Sequence, residues 1–194
     1  MENIPESAGL SSFNLLDEHF FFKELDVKPG ITMLDLACGL GNYAVAAASY
    51  VGPDGIIYAL DIWEEGIETL EVRTAITNIN NIRPVVTDVC KKIPVGDQSV
   101  DLCLMATIIH ILVDENKAEN MLNEVCRVLK PGGRAAVVEF KKIEGPPGPP
   151  LSLRHSPRDL EKILSPYHLQ VQKTVEVGPF NYLSIFGASF KTPS

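Results

Sequence analysis

An apolar run that ends in an acid and then turns through two glycines is the feature that most constrains this chain. Residues 33–43 read MLDLACGLGNY. Glycine at positions 39 and 41 permits a positive φ and lets a ligand approach without a Cβ in the way. The alanine-rich stretch that follows favours a helix from about residue 42, whose first N–H groups lack partners within the helix. We therefore expect a small ligand carrying an adenosine, a carboxylate or a phosphate to bind at this turn.

The composition sets limits on the size of the protein and on its partners. At 194 residues the chain predicts one domain with a sizeable core. A net charge of −8 makes nucleic acid an unfavourable partner, because a phosphate backbone requires a basic patch. No apolar run reaches the roughly 20 residues that span a bilayer, and the polar, acidic N-terminus is unlike a secretory signal. We expect a cytoplasmic protein, and the sequence leaves its oligomeric state open.

Four cysteines lie too far apart to form a C-x-x-C pair, at positions 38, 90, 103 and 126. In a reducing compartment we expect them to be free, mostly buried thiols. A thiol site for a soft metal is the alternative, and Cys38 alone lies in a suitable loop. No metal site is expected.

Strand and helix patterns alternate along the chain and predict an α/β fold. Short apolar runs predict strands at residues 32–36, 56–60, 82–87, 100–105 and 134–140. Helical patterns cover residues 13–25, 42–51, 64–76 and 115–130, and a further helix begins at Ser156. The last two strands, residues 169–177 and 182–190, form a hairpin. The order predicts a seven-stranded, mostly parallel sheet with helices on both faces and a C-terminal antiparallel hairpin.

Acidic side chains follow the strands at the edge where such sheets bind their ligands. Asp35 lies at the end of the first strand, Asp61 follows the second and Asp88 follows the third. Residues 106–110 follow the fourth strand. Each acid has a simpler alternative role as the N-cap of a following helix, although no clear helix follows Asp88.

Two kinds of nucleotide-like ligand fit this edge. Residues 39–44 match G-x-G-x-x-G/A, and Asp61 lies 20 residues after Gly41, as in dinucleotide-binding folds. Asp35, however, precedes the first glycine by four residues, and its carboxylate would repel a pyrophosphate. A ligand with ammonium and sulfonium charges suits that carboxylate better. Asp61 and Asp88 together can hold ribose hydroxyls and an adenine amine.

Five segments together resemble the motifs of the class I S-adenosylmethionine-dependent methyltransferases. They are LDLACGLGNY at 34–43, YALDI at 58–62, VVTDV at 85–89, PVGDQSVDLCLM at 94–105 and RVLKPGGRAAVVEF at 127–140. The chain is most similar to the type 11 branch, which includes quinone and sterol methyltransferases. Ala135 and Lys141 depart from the second quinone-enzyme signature, and the first signature is missing. An N-P-P-Y motif, typical of enzymes that methylate amide or adenine nitrogen, is also missing after strand four.

The resemblance implies a Rossmann-like three-layer sandwich that binds S-adenosylmethionine and methylates a small molecule. Residues 1–30 would form an N-terminal helical cap, and residues 31–194 would form the cofactor-binding domain. In this interpretation Asp35 attracts the ammonium, Asp61 binds the ribose hydroxyls, and Asp88 accepts from the adenine amine. The residues expected at the cofactor all lie at or just after strand ends: Asp35, Cys38, Gly39, Leu40, Gly41, Asp61, Ile62, Asp88, Val89 and Ala106.

His110 is the candidate for a catalytic base or a contact to the acceptor, since it follows strand four on the ligand side. Local packing or capping is the alternative role. A base is needed only if the acceptor is a protonated hydroxyl, amine or thiol. Residues 20–22, three phenylalanines, form either an apolar lid or the packing face of the first helix. A nicotinamide-dependent oxidoreductase, and a protein that binds the cofactor without methyl transfer, are the alternative functions.

Overall fold

The computed structural model of the protein describes residues 9–189. The first part of the expected cap, the polar N-terminal residues and the end of the strand predicted at 182–190 lie outside these residues. The sheet consists of β1 (Thr32–Leu36), β2 (Ile56–Asp61), β3 (Ile82–Val86), β4 (Val100–Ala106), β5 (Leu129–Phe140), β6 (Leu169–Glu176) and β7 (Asn181–Ala188). The α-helices are α1 (Glu18–Leu25), α2 (Asn42–Val51), α3 (Glu64–Thr77), α4 (Ile109–Asp114), α5 (Ala118–Val128) and α6 (Pro157–Leu164).

The seven strands form one mixed sheet in the order β3-β2-β1-β4-β5-β7-β6. The first five strands of this order are parallel, and β7 runs antiparallel to both β5 and β6. The predicted α/β fold with a C-terminal hairpin is therefore confirmed. Strands β1 to β3 follow one another toward one edge of the sheet, and β4 and β5 follow toward the other. The switch point between β1 and β4 is where open α/β sheets bind ligands.

Two apolar cores lie on opposite faces of the sheet, as a three-layer sandwich requires. Alternation along β1 separates them, because Met33 belongs to one core while Leu34 and Leu36 belong to the other. The first core also contains Phe21, Phe22 and residues of α2. The three phenylalanines therefore serve mainly in packing, since Phe21 is fully buried and Phe22 is 2% exposed. They do not form an open lid.

The structure corrects two predicted helices. The helix predicted at 115–130 is shorter, because α5 begins only at Ala118, after Asn116 with its left-handed φ of 56°, and ends at Val128, where β5 begins at the next residue. A separate helix that was not predicted, α4, precedes it. The helix predicted at 13–25 begins only at Glu18, where the Asp17 side chain accepts a hydrogen bond from the Phe20 N–H at 2.9 Å. A short 3₁₀ turn, Phe13–Leu15, precedes it. No helix of residues 9–189 is long and apolar enough to cross a membrane.

Candidate functional site

The turn after β1 has the backbone that its glycines predicted. Ala37, Gly39 and Gly41 have φ values of 56°, 55° and 70°. A Cβ added at Gly39 would meet nothing within 4 Å, whereas one at Gly41 would lie 2.5 Å from a methyl group of Leu70. Gly41 therefore makes room for the packing of α3, and Gly39 is the glycine that leaves open space beside the turn.

Asp61 fastens the loop after β2 to this glycine turn. One carboxylate oxygen accepts the Gly39 N–H at 2.7 Å, and the other accepts the Trp63 N–H at 2.8 Å. Asp61 is 8% exposed, so one edge of the carboxylate stays near the surface. Asp61 is not the N-cap of the following helix, because the N-cap of α3 is Trp63. The charge is thereby fixed at the switch point, where ribose hydroxyls were expected.

Asp35 is a buried acid with an oxygen that has no partner. The residue is 1% exposed, and among the described residues its Oδ2 has no hydrogen bond. The pKa of this carboxyl is raised to about 7, mainly by burial and also by the Asp61 charge, while a hydrogen bond with the Ala44 backbone acts in the opposite direction. Such an orphaned carboxylate oxygen is a site for a cationic group, because only a partner would offset the loss of its hydration. The ammonium of S-adenosylmethionine fits this requirement.

The loops after β2 and β3 present one apolar side chain and one acid. Ile62 is 54% exposed, directly after Asp61. The Asp88 carboxylate accepts the Cys90 N–H at 2.9 Å and lies 3.4 Å from the Lys91 ammonium. Val89 beside it is buried. Asp88 thus caps a turn instead of a helix, and its side chain, 30% exposed, stays open to an additional partner.

The loop after β4 is strained at a β-branched residue. Thr107 has a φ of 54°, and its N–H donates to the Val138 carbonyl at 2.8 Å. β-Branched residues rarely adopt this conformation, and such strain concentrates at functional sites. Ala106, the last residue of β4, pairs with Val138 across the sheet. The strained loop therefore follows the second of the two switch-point strands.

His110 lies in the first turn of α4, a helix that the sequence did not predict. The residue is 6% exposed, and its ring Nδ1 lies 2.9 and 3.1 Å from the two carboxylate oxygens of Glu139. The backbone N–H of His110 also donates to Glu139, at 3.2 Å. Glu139 has no exposed surface. Sequence reasoning missed Glu139, although a charged residue within the apolar run AAVVEF of β5 was a usable signal.

The N-terminal segment, residues 9–17, crosses the same edge of the sheet. The Ser12 and Tyr43 hydroxyl oxygens lie 2.8 Å apart, and the Phe13 ring packs edge-on against the Tyr43 ring with 5.0 Å between ring centroids. At its end, the Asp17 N–H donates to the Val177 carbonyl at 3.0 Å. Tyr43 lies in the first turn of α2, next to the glycine turn. The segment therefore packs against the start of α2, a contact that the sequence reasoning did not identify, and the N-terminal helical cap over residues 1–30 stays a prediction.

The proline-rich loop after β5 is organised by one buried arginine. Arg154, 3% exposed, donates to the backbone carbonyls of every second residue from 141 to 149: Lys141, Ile143, Gly145, Pro147 and Pro149. The 3₁₀ turn before it, Leu151–Leu153, contacts α4. The Tyr182 hydroxyl donates to the carbonyl of the next residue, His155, at 2.8 Å. The loop is thus a fixed wall beside the helix that carries His110.

The cysteines at this edge are thiols. Burial, together with the Asp35 and Asp61 charges, raises the pKa of Cys38 well above its ordinary value. A neutral thiol is a poor metal ligand. Within residues 9–189, no group of three or more His, Cys, Asp and Glu side chains is placed to hold a metal ion.

Comparisons with known proteins agree with this geometry. The chain is 31% identical over 126 residues to a demethylmenaquinone methyltransferase of Lactobacillus johnsonii, covering 65% of this chain and 50% of that protein. The chain thus spans about half the length of such relatives. A crystal structure of an S-adenosylmethionine-dependent methyltransferase from Aquifex aeolicus superposes with a TM-score of 0.83 and 29% identity, covering 95% of this chain and 94% of that one. The [4+2]-cyclase SpnF shares the fold, with a TM-score of 0.71 at 16% identity over 88% of this chain and 78% of its own.

A family model described as a methyltransferase domain matches residues 27–176, which include every strand-end residue discussed above. The match decides between the two ligand classes that fit the glycine turn, and it excludes the nicotinamide alternative. It also agrees with the unpartnered Asp35 oxygen, which suits a cationic amino acid group. The chain belongs to the methyltransferase-domain family of class I enzymes, whose cofactor is S-adenosylmethionine.

Proposed function

We propose that this protein transfers a methyl group from S-adenosylmethionine to a small-molecule acceptor at the carboxyl edge of its sheet. The observation that carries the proposal is the buried Asp35 Oδ2, which has no partner among the described residues and lies beside the glycine turn. The bound cofactor supplies an electrophilic methyl group on a positively charged sulfur. The protein's own residues bind and orient this group and keep water from the reacting atoms.

Several strand-end residues support the same binding mode. Asp61 can share its carboxylate between the backbone N–H groups it already holds and the ribose hydroxyls. Ile62 exposes an apolar face on which an adenine ring can pack. Asp88 and Val89 lie at the end of the neighbouring strand, where an adenine amine would find an acceptor. Cys38, Leu40 and Ala106 complete the cofactor contacts of the proposal.

The acceptor side is formed by α4 and the loop that Arg154 holds. Names of relatives such as the Lactobacillus johnsonii enzyme indicate a quinone acceptor for those proteins. We do not transfer that substrate to this chain, because Ala135 and Lys141 depart from the quinone-enzyme signature and the chain spans half of those relatives. The net charge of −8 supports a small molecule over nucleic acid. A cytoplasmic location remains a prediction.

Transfer of a labelled methyl group tests the proposal directly. The protein is incubated with methyl-labelled S-adenosylmethionine and, separately, 1,4-naphthohydroquinone, catechol, a thiol, a primary amine and a carboxylic acid. We expect label in at least one acceptor, and much less label when Asp61 is replaced by alanine and the cofactor is held near the wild-type Kd. Tight cofactor binding with no transfer to any acceptor would favour the alternative, a protein that binds the cofactor without methyl transfer. Absence of cofactor binding would refute the proposal entirely.

A further inference from the structure

Glu139 is a completely buried carboxylate whose hydrogen-bond partners include both the side chain and the backbone of His110. Burying a charged group is costly unless it is paired, so this pair is a fixed unit of the fold. Among the described residues no lysine or arginine forms an ion pair with Glu139. Its negative charge is therefore available to the imidazole.

The geometry assigns the two ring nitrogens different roles. Both carboxylate oxygens of Glu139 lie within hydrogen-bond distance of Nδ1, at 2.9 and 3.1 Å, so an Nδ1–H can donate a hydrogen bond to the carboxylate. Nε2, on the other side of the ring, has no hydrogen-bond partner within residues 9–189, and the side chain keeps 7% of its surface exposed. When Nδ1 carries the proton of a neutral imidazole, Nε2 carries the free lone pair.

We propose that Glu139 is a positioning residue that holds His110 in the Nδ1–H tautomer, so that Nε2 accepts the proton of a hydroxyl-bearing acceptor. The inference rests on the proposed methyl transfer. It narrows the acceptor class to one with a dissociable O–H, such as a phenol or hydroquinone. A neutral amine reacts through its nitrogen lone pair and loses a proton only afterwards, and a thiol, whose ordinary pKa is about 8.5, ionises without help, so neither needs such a base before transfer.

The proposed step moves one methyl group and one proton. As the acceptor's electron pair forms a bond to the methyl carbon, the sulfur–methyl bond breaks and its electrons remain on sulfur. The acceptor proton moves to Nε2, which makes an imidazolium. One positive charge disappears from sulfur and one appears on His110, where the Glu139 carboxylate stabilises it. The proton then leaves to solvent through the exposed edge of the ring.

Two tyrosines near Glu139 do not change their ionisation over the pH range of the experiment. Tyr43 on α2 and Tyr182 on β7 both face Glu139 closely enough for its charge to act on them. Burial and this charge raise the pKa of each phenol far above neutrality. Both phenols thus stay neutral over the pH range of the experiment. Tyr182 also pairs with Glu139 in the register between β5 and β7.

Nitrogen-15 NMR of the histidine rings tests the inference on the protein without any acceptor. Spectra are recorded with bound S-adenosylhomocysteine near pH 8, and His110 is assigned with a His110→Asn variant. We expect the Nδ1–H tautomer in the wild type. A mixture or an Nε2–H ring is expected in Glu139→Gln, which keeps size and loses charge. Glu124→Gln is the matched control, because Glu124 is a partly buried acid that bonds Arg127 on α5. An Nε2–H ring in the wild type would overturn the inference.

Kinetics with the best hydroxyl acceptor of the panel give a second readout. In Glu139→Gln we expect kcat to fall by roughly 10²–10⁴ and its pH dependence to change, with the cofactor Kd within twofold of wild type. Equal losses of kcat and cofactor affinity would indicate a structural role and refute the assignment. If the wild type methylates only thiols or amines, the hydroxyl class is wrong while the proposed methyl transfer stands. No transfer at all refutes the proposed function itself, and the NMR result still reports the tautomer.

Discussion

Replacing Asp35 by asparagine should stabilise the cofactor-free protein at alkaline pH. Burial raises the pKa of this carboxyl from 3.8 to about 7. Because the folded-state pKa is the higher one, the favourable contribution of neutral Asp35 is complete below the unfolded pKa and is lost as pH rises through 7. At about 1.36 kcal/mol per pKa unit, the ionised form costs up to about 4 kcal/mol above that range. Asparagine has no such ionisation, so the advantage of the variant should grow from about pH 4 to about pH 7 and then stay constant up to pH 8.5.

Urea unfolding of the cofactor-free protein between pH 4 and 8.5 measures this advantage as a change in the free energy of unfolding. Asp54→Asn, in the exposed turn before β2, controls for the loss of one negative charge. A stability difference between Asp35→Asn and wild type that stays constant with pH would refute the reasoning. It would show that folding does not raise the pKa of Asp35 above its unfolded value.

Cofactor binding should reverse the sign of this effect. An ammonium beside Asp35 favours the carboxylate, so binding at pH 6 should release up to one proton from the wild type and none from Asp35→Asn. Calorimetry in buffers of different ionisation enthalpy measures that release. Equal proton release by the two proteins would show that the ammonium lies elsewhere.

Three further results are expected. Asp61→Ala should lose roughly 2–4 kcal/mol of cofactor binding free energy, measured by calorimetry, because charge-assisted hydrogen bonds to the ribose disappear. Unchanged affinity would show that Asp61 only connects the two loops. S-adenosylmethionine at a hundredfold excess over Kd should stabilise the protein by about 2.7 kcal/mol and raise its Tm by roughly 5–11 °C. NAD should leave Tm unchanged, and a rise in Tm with NAD alone would contradict the family assignment. Arg154→Met should lower the free energy of unfolding in urea by roughly 2–4 kcal/mol and speed amide hydrogen exchange across residues 141–149. Exchange as slow as in the wild type would show that the loop keeps its conformation without Arg154.

Much of the fold followed from local patterns. The glycine turn, the strand-end acids and the C-terminal hairpin depend on residues that are close in sequence, and short-range rules place them correctly. The capping box at Ser156 and Asp159 is an example, because both partners lie within four residues. The position of Asp35 at the switch point also followed, since strand order in α/β sheets obeys few topologies.

The predictions that failed or were missed involve residues far apart in the chain. Glu139 and His110 are 29 residues apart and meet only because β4 and β5 pair in one particular register. Ser12 and Tyr43, 31 residues apart, meet only when the N-terminal segment crosses the sheet. The helix predicted at 115–130 was wrong at both ends for a local reason. Its apolar stripe lies within residues 121–129, and hydrophobic periodicity marked neither the left-handed Asn116 before α5 nor the start of β5 at Leu129.

Arg154 recognises main-chain oxygens, which every amino acid possesses. Substitutions at most positions of the proline-rich loop leave these five carbonyl oxygens in place. The backbone path can therefore be conserved while the side chains that face the proposed methyl-acceptor site change. Gly148 is an exception, because an added Cβ would lie 2.6 Å from the Phe140 ring. The loop therefore offers a place where acceptor preference can diverge between related enzymes, or be altered in a designed library, without rebuilding the fold.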